Sequence, residues 1–103
     1  MTDDEAMAIF LALGDTGRFE IFRKVRTQGE MTANELSAGK AASTISHHLA
    51  KLEDAGVLRA RRSGKTKRYS ADAAKLHAFS AWLSASATDA EYSRLGQVML
   101  TVG

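Results

Sequence analysis

The stretch STISHHLAKLEDAGVL, residues 43–58, sets apolar side chains at helical spacing behind short, donor-rich polar ones. Ile45, Leu49 and Leu52 stand at i, i+4 and i+7, one stripe of an α-helix, and Gly56 marks its stop. Ser43 is a good N-cap for it. With the stripe turned inward, Ser43, Thr44, His47 and Lys51 point mainly outward. Such groups near a helix N-terminus can enter a major groove and hydrogen-bond base edges or phosphates.

Upstream, EMTANELSAG (30–39) is short. Glu30 and Met31 make a stub of strand. Thr32 and Glu35 have capping-box spacing, Leu36 is the apolar anchor, and Gly39 closes the helix after less than two turns. GKAAS then leaves only a brief turn before the next helix. Two helices joined by a short glycine-containing turn make a helix-turn-helix. Downstream the period changes. VLRARRSGKTKRYSA reads as strand, turn and strand, with SGKT as the glycine turn and Val57 and Tyr69 as strand formers. A helix-turn-helix followed at once by such a hairpin is a winged helix.

The charge distribution supports this geometry. The chain of 103 residues has a net charge of only +2, yet Arg59–Arg68 holds six of its fourteen basic residues. No acid lies between Asp54 and Asp72. A patch of that density seeks polyanions, and a wing's cations would lie along a DNA backbone or reach a minor groove. The length fits one domain, here 1–103. Cysteine is absent, which excludes disulfides and thiolate metal sites, and proline is absent too. The N-terminus, MTDDEAMAIF, is acidic where a signal peptide would be basic, and no apolar run approaches a membrane span. A cytoplasmic protein is expected.

Helices flank this centre. Thr2 and Glu5 have capping-box spacing before AMAIFLAL, which is apolar nearly all round and so is expected to be buried on more than one side. Asp15 can cap the next helix, in which Phe19, Ile21, Phe22 and Val25 form one broad apolar face and Gly29 ends it in the left-handed conformation. The expected fold is mainly α with a small β-hairpin wing. The helix-turn-helix spans 32–55 and the wing 57–71.

The run SAGKAASTISHHLAKLEDAGVLRARRSGKTKRYSAD resembles the ArsR/SmtB family of bacterial winged-helix repressors. The serine-x-His-Leu core of the recognition helix, the Ala-Gly that ends it, and a basic wing closing on RYS carry the resemblance. LALGDTGRFEIFRKV is similar to the family's opening helices, which usually read Asp-Pro-x-Arg; here Thr16 replaces the proline and Gly17 precedes Arg18. The resemblance covers about residues 7–83. It implies a homodimer on an imperfect palindrome, repressing transcription, with the first and last helices as the dimer interface. Residues 1–13 and 73–100 take that part, with Phe10, Leu11, Leu76, Phe79, Trp82, Leu83, Tyr92, Leu95 and Met99 as the apolar contacts. Ser43, Thr44, Ser46 and His47 are assigned to the groove, and Thr32 is counted among the DNA-binding residues. Lys51, Arg61, Arg62, Lys65, Lys67 and Arg68 are assigned to the phosphate backbone of double-stranded DNA.

No cofactor or metal is expected. The family's Asp/His/His/Glu set fails here, because Ala74 stands where its first histidine belongs and no histidine follows His77. His77 with Asp89 or Glu91 across subunits is the remaining alternative. His47 and His48 diverge by about 100° on a helix and cannot chelate one ion. His48 lies nearer the stripe and is read as a packed, hydrogen-bonded structural residue. Enzyme activity is not expected: SGKTKR lacks the first glycine of a phosphate loop and falls in a hairpin. The effector stays open among a small molecule, a partner protein and none. The other functional class is a winged-helix protein-interaction module such as an anti-repressor, which has no need of six cations on one hairpin.

Overall fold

The computed structural model describes residues 1–85. In chain order these form α1 (Asp3–Leu13), α2 (Thr16–Gln28), β1 (Met31–Thr32), α3 (Ala33–Ser37), α4 (Ala42–Asp54), β2 (Leu58–Ser63), β3 (Thr66–Ala71) and α5 (Ala73–Ala85). The strands make one antiparallel sheet in the order β1-β3-β2. This is the expected winged helix-turn-helix. The strand stub differs in detail: it is Met31–Thr32, not Glu30–Met31, because Met31 is buried under the sheet while Glu30 turns out to Arg61.

Local chemistry explains most boundaries. Thr2 Oγ1 accepts the Glu5 N–H at 3.1 Å and Glu5 Oε1 accepts the Thr2 N–H at 3.0 Å, a closed capping box. Thr32 and Glu35 repeat it at 3.2 and 3.0 Å. Asp15 Oδ2 caps α2 through the Arg18 N–H at 3.0 Å. Gly56, at φ 83°, closes α4 in a Schellman motif: its N–H donates to Glu53 O, and the Val57 N–H donates to Leu52 O.

Three boundaries depart from expectation. α4 is capped by Ala41 without a side-chain bond, so Ser43 lies inside the helix and keeps its hydroxyl free of capping. α3 ends on Ala38, itself left-handed at φ 44°, and Gly39 follows at φ 85°. The turn to α4 thus needs two successive left-handed residues where the glycine alone was expected. Gly29 has φ 90° but ψ −156°, outside the left-handed helical region, although its N–H still donates to Val25 O.

The core joins every helix up to the hairpin. Ile9, Val25, Leu36, Ile45, Leu49, Leu52, Val57 and Leu58 are its fully enclosed side chains. Against expectation, α1 buries one stripe only, Ala6, Ile9 and Ala12, and leaves Met7, Phe10 and Leu11 exposed. Of these, Phe10 is partly covered by the rings of Phe79 and Trp82. Phe19 is also exposed, since it sits about 110° around α2 from the centre of the buried Ile21, Phe22 and Val25 stripe.

α5 returns across α1. Phe10 meets the Phe79 ring edge-on at 5.1 Å, and Trp82 stacks beside Phe79. Trp82 Nε1 donates to Asp3 Oδ1 at 3.0 Å, and Lys75 Nζ donates to Glu5 Oε2 at 3.1 Å. The Thr2 N–H, with Lys75 beside it, holds the Glu5 carboxyl at about 2 against an ordinary 4.5. Because this folded-state value is depressed, its stabilisation is present above pH 4.5 and is lost as pH falls toward 2. Thermal melts of wild type and Glu5→Gln should therefore converge as pH drops through that window; parallel curves would show that Glu5 plays no part.

Candidate nucleic-acid interface

α4 divides cleanly. Ile45, Leu49 and Leu52 are 1%, 1% and 0% exposed, while Ser43, Thr44, Ser46, His47 and Lys51 are all exposed. At 100° per residue these outward groups span an arc of about 160°, from Ser46 through Ser43 and His47 to Lys51 and Thr44. The Ala42 and Ser43 N–H groups at the helix start take no side-chain cap. The Ser46 flank faces α3, across a cleft of about 250 Å³ lined by Ala33, Asn34, Ser37, Ala42, Ile45 and Ser46. That cleft brings Asn34 and Ser37 beside the outward face. Neither is marked by the sequence pattern, since only the α3–α4 crossing places them there.

Thr32 is differently occupied. Its hydroxyl accepts the Glu35 N–H and donates to Glu35 Oε1 at 2.9 Å, so the capping box engages it. The Glu35 carboxyl is held below its ordinary range, chiefly by the Thr32 N–H.

The hairpin turns through Gly64 and Lys65, with Gly64 at φ 65°, the conformation a two-residue hairpin turn reserves for glycine. Its register pairs Arg61 with Arg68 and Arg62 with Lys67. Like charges directly opposite one another destabilise a sheet. Two carboxylates offset part of that repulsion. Glu30 accepts both Nε and Nη2 of Arg61 at 2.7 Å, a bidentate pair. Arg61 in turn holds the Glu30 carboxyl below its usual range, and the guanidinium is raised by the same contact. Glu53, on α4, accepts Lys67 Nζ at 3.4 Å, and that ammonium lies 5.5 Å from the Tyr69 ring centroid. The Tyr69 hydroxyl and then Glu53 keep Lys67 above its usual range.

Arg59, Arg62, Lys65 and Arg68 have no carboxylate within ion-pair distance among the described residues. Arg62 and Lys65 lie at or beside the turn and are exposed. The Lys67–Glu53 contact places the wing against α4, since Glu53 sits about 20° from Ser46 around that helix. Sequence spacing had marked the cations; it had not marked Glu30 or Glu53, which lie 31 and 14 residues from their partners.

The second expected surface is only partly free. Leu76 and Phe79 are half-buried against the core, and Phe10, Phe79 and Trp82 cluster within the subunit. Met7, Phe10, Leu11 and Leu83 remain exposed at 56%, 45%, 67% and 44%. Met7 was missed by sequence reading, although its i, i+3, i+4 spacing to Phe10 and Leu11 was available. Tyr92, Leu95 and Met99 lie outside the described residues, as do Asp89 and Glu91. Among the described residues no three His, Cys, Asp or Glu side chains are placed to hold a metal ion. No helix among them is long and apolar enough to cross a membrane.

Comparison with known proteins agrees with this geometry. A helix-turn-helix domain family matches residues 1–61. The chain is 36% identical over 74 residues to the HTH-type transcriptional regulator KmtR of Mycobacterium tuberculosis, covering 67% of this chain and 56% of that protein. It thus spans little more than half the length of that relative. An ArsR-like transcriptional regulator from Rhodococcus sp. RHA1 shares the fold at a TM-score of 0.76 and 24% identity, with 97% and 93% of the two chains covered. The homodimeric winged helix-turn-helix DNA-binding domain Mb0332 from Mycobacterium bovis does so at 0.66 and 22%, with 84% and 87% covered. On its helix pair, its wing and these matches, the chain belongs to the helix-turn-helix domain family, and its fold is that of ArsR-like transcriptional regulators.

Proposed function

We propose that the chain is a homodimeric repressor that binds a palindromic operator in the cytoplasm. One observation carries the reading. Six cations are held on a hairpin, two pairs of them directly opposed, with only two carboxylates to offset them. A fold keeps such repulsion when a polyanion relieves it on binding. The exposed donor-rich face of α4 adjoins that hairpin, so one duplex can meet both.

In this reading Ser43, Thr44, Ser46 and His47 meet base edges in the major groove. Arg62, Lys65 and Lys51 hold phosphates outright. Arg61 and Lys67 exchange their carboxylate partners for phosphate, and Arg68 adds its charge beside Thr32. A half-site engages one subunit, and a dimer spans two half-sites about 34 Å apart. Exposed Met7, Phe10, Leu11 and Leu83 support the dimer, as does the homodimeric relative Mb0332.

A salt series on duplex binding tests this. Affinity should fall steeply as salt rises, and Arg62→Ala or Lys65→Ala should each flatten the slope by about one per subunit. His47→Ala should instead change sequence preference, with about 1–3 kcal/mol of discrimination lost at one base pair. A flat salt response would overturn the reading and favour a protein partner for the same scaffold. A uniform loss in His47→Ala would remove His47 from base reading.

A further inference from the structure

Gly17 is the second residue of α2, a position where alanine would favour the helix more. Its φ is not positive, so the backbone does not require glycine there. What glycine supplies is room. A Cβ at Gly17 would stand 2.9 Å from His48 Nε2, 3.4 Å from His48 Cδ2 and 3.2 Å from Asp15 Oδ2. The His48 ring, on the recognition helix α4, therefore occupies the space a methyl group would need on α2.

That ring is held closely. Its side chain is 17% exposed, and Nε2 lies 3.8 Å from Asp15 Oδ2, the oxygen that also caps α2. The distance is too long for the hydrogen bond expected from sequence, and it leaves the ring edge facing the carboxylate. Nδ1 is buried and meets no hydrogen-bond partner among the described residues. The ring is thus retained by shape against Gly17 and by the Asp15 carboxylate.

We infer that Asp15, Gly17 and His48 form a seat that sets the rotation of α4 about its own axis. His48 is then a positioning residue for base reading. It acts through its neighbours His47 and Ser43 and does not itself touch DNA. This rests on the DNA-reading function proposed above. The other inward contacts of α4 are Ile45, Leu49 and Leu52, and apolar packing is non-directional. It holds the helix down while tolerating small rotations. A rotation of about 10° moves side chains about 5–6 Å from the axis by about 1 Å. That exceeds the roughly 0.5 Å range over which N–H···O bonds form well. A polar wedge at a fixed point on the helix removes that freedom.

The probes are the duplex that wild-type chain selects from a random pool and a shuffled duplex of equal length. Gly17→Ala is expected to fold, since alanine suits the helix better, and to displace His48. Its preference for the selected over the shuffled duplex should fall about 10-fold, the loss of one good base contact, with binding to the shuffled duplex unchanged. His48→Ala removes the wedge and should fall similarly. The double variant should fall no further than either alone, because both act at one contact. In the DNA-free protein, amide resonances of residues 43–51 should shift in Gly17→Ala.

Losses that add in the double variant would overturn the seat. So would Gly17→Ala amides and preference that match wild type. Wild-type protein without any preferred, salt-sensitive duplex would overturn the DNA reading instead, and the amide shifts would still decide whether Gly17 seats α4.

Discussion

Leu11→Glu is expected to leave the subunit folded, dissociate the proposed dimer and weaken binding to the proposed operator by about 10²–10⁴-fold. Leu11 is 67% exposed in the isolated subunit, and its side chain is no part of the core. Its carbonyl accepts Arg18 Nη2 at 3.2 Å, a backbone contact that glutamate preserves. The substitution therefore touches what a partner would cover. Placing a carboxylate in an apolar interface adds a desolvation penalty. Once the subunits separate, each binds one half-site, and the second half-site no longer acts at high effective concentration. Sedimentation at micromolar concentration and a titration on the selected operator read the two effects. A Leu11→Glu protein that remains dimeric would move the interface off this face of α1. One that is monomeric yet binds as tightly as wild type would show that the dimer does not contribute to affinity.

The second large effect is on stability. Leu52→Ala should cost about 2–5 kcal/mol, out of a total typically of about 5–15 kcal/mol for a small domain. Leu52 is 0% exposed and lies at the last turn of α4, where the recognition helix meets Val57 and Leu58 of the hairpin's root. Truncation removes its contacts and leaves a cavity between elements that packing on both sides holds apart. The melting midpoint should drop by about 10–20 °C at fixed protomer concentration. A drop of only a degree or two would mean that the helix slides inward to fill the space, and the recognition helix would then be less rigidly mounted than its packing indicates.

Much of the site was legible in the sequence because it depends on local relations. Capping boxes join residues three apart, so Thr2–Glu5 and Thr32–Glu35 could be read directly and both close in the structure. The Ile45, Leu49 and Leu52 stripe is a periodicity, and it fixed which residues of α4 face outward. Two errors at helix ends had the same origin. Ser43 and Gly39 are good cap residues, but the turn between α3 and α4 is closed by Ala38 and Ala41, whose conformations come from the packing of the two helices. Residue preference ranks the caps; it does not outweigh the geometry of a three-dimensional corner.

What the sequence by itself determined is the order of elements, the inward stripe of α4 and the density of cations on the wing. Helical period, hydrogen bonds over three or four residues and charge count are all properties of neighbours along the chain. Only the tertiary structure decided which cations are already paired, since Glu30 reaches Arg61 and Glu53 reaches Lys67 across different elements. Only it left Met7 and Leu11 bare on α1, and only it set His48 against Gly17. Those outcomes depend on distances between segments remote in sequence, which side-chain packing sets and no local pattern encodes.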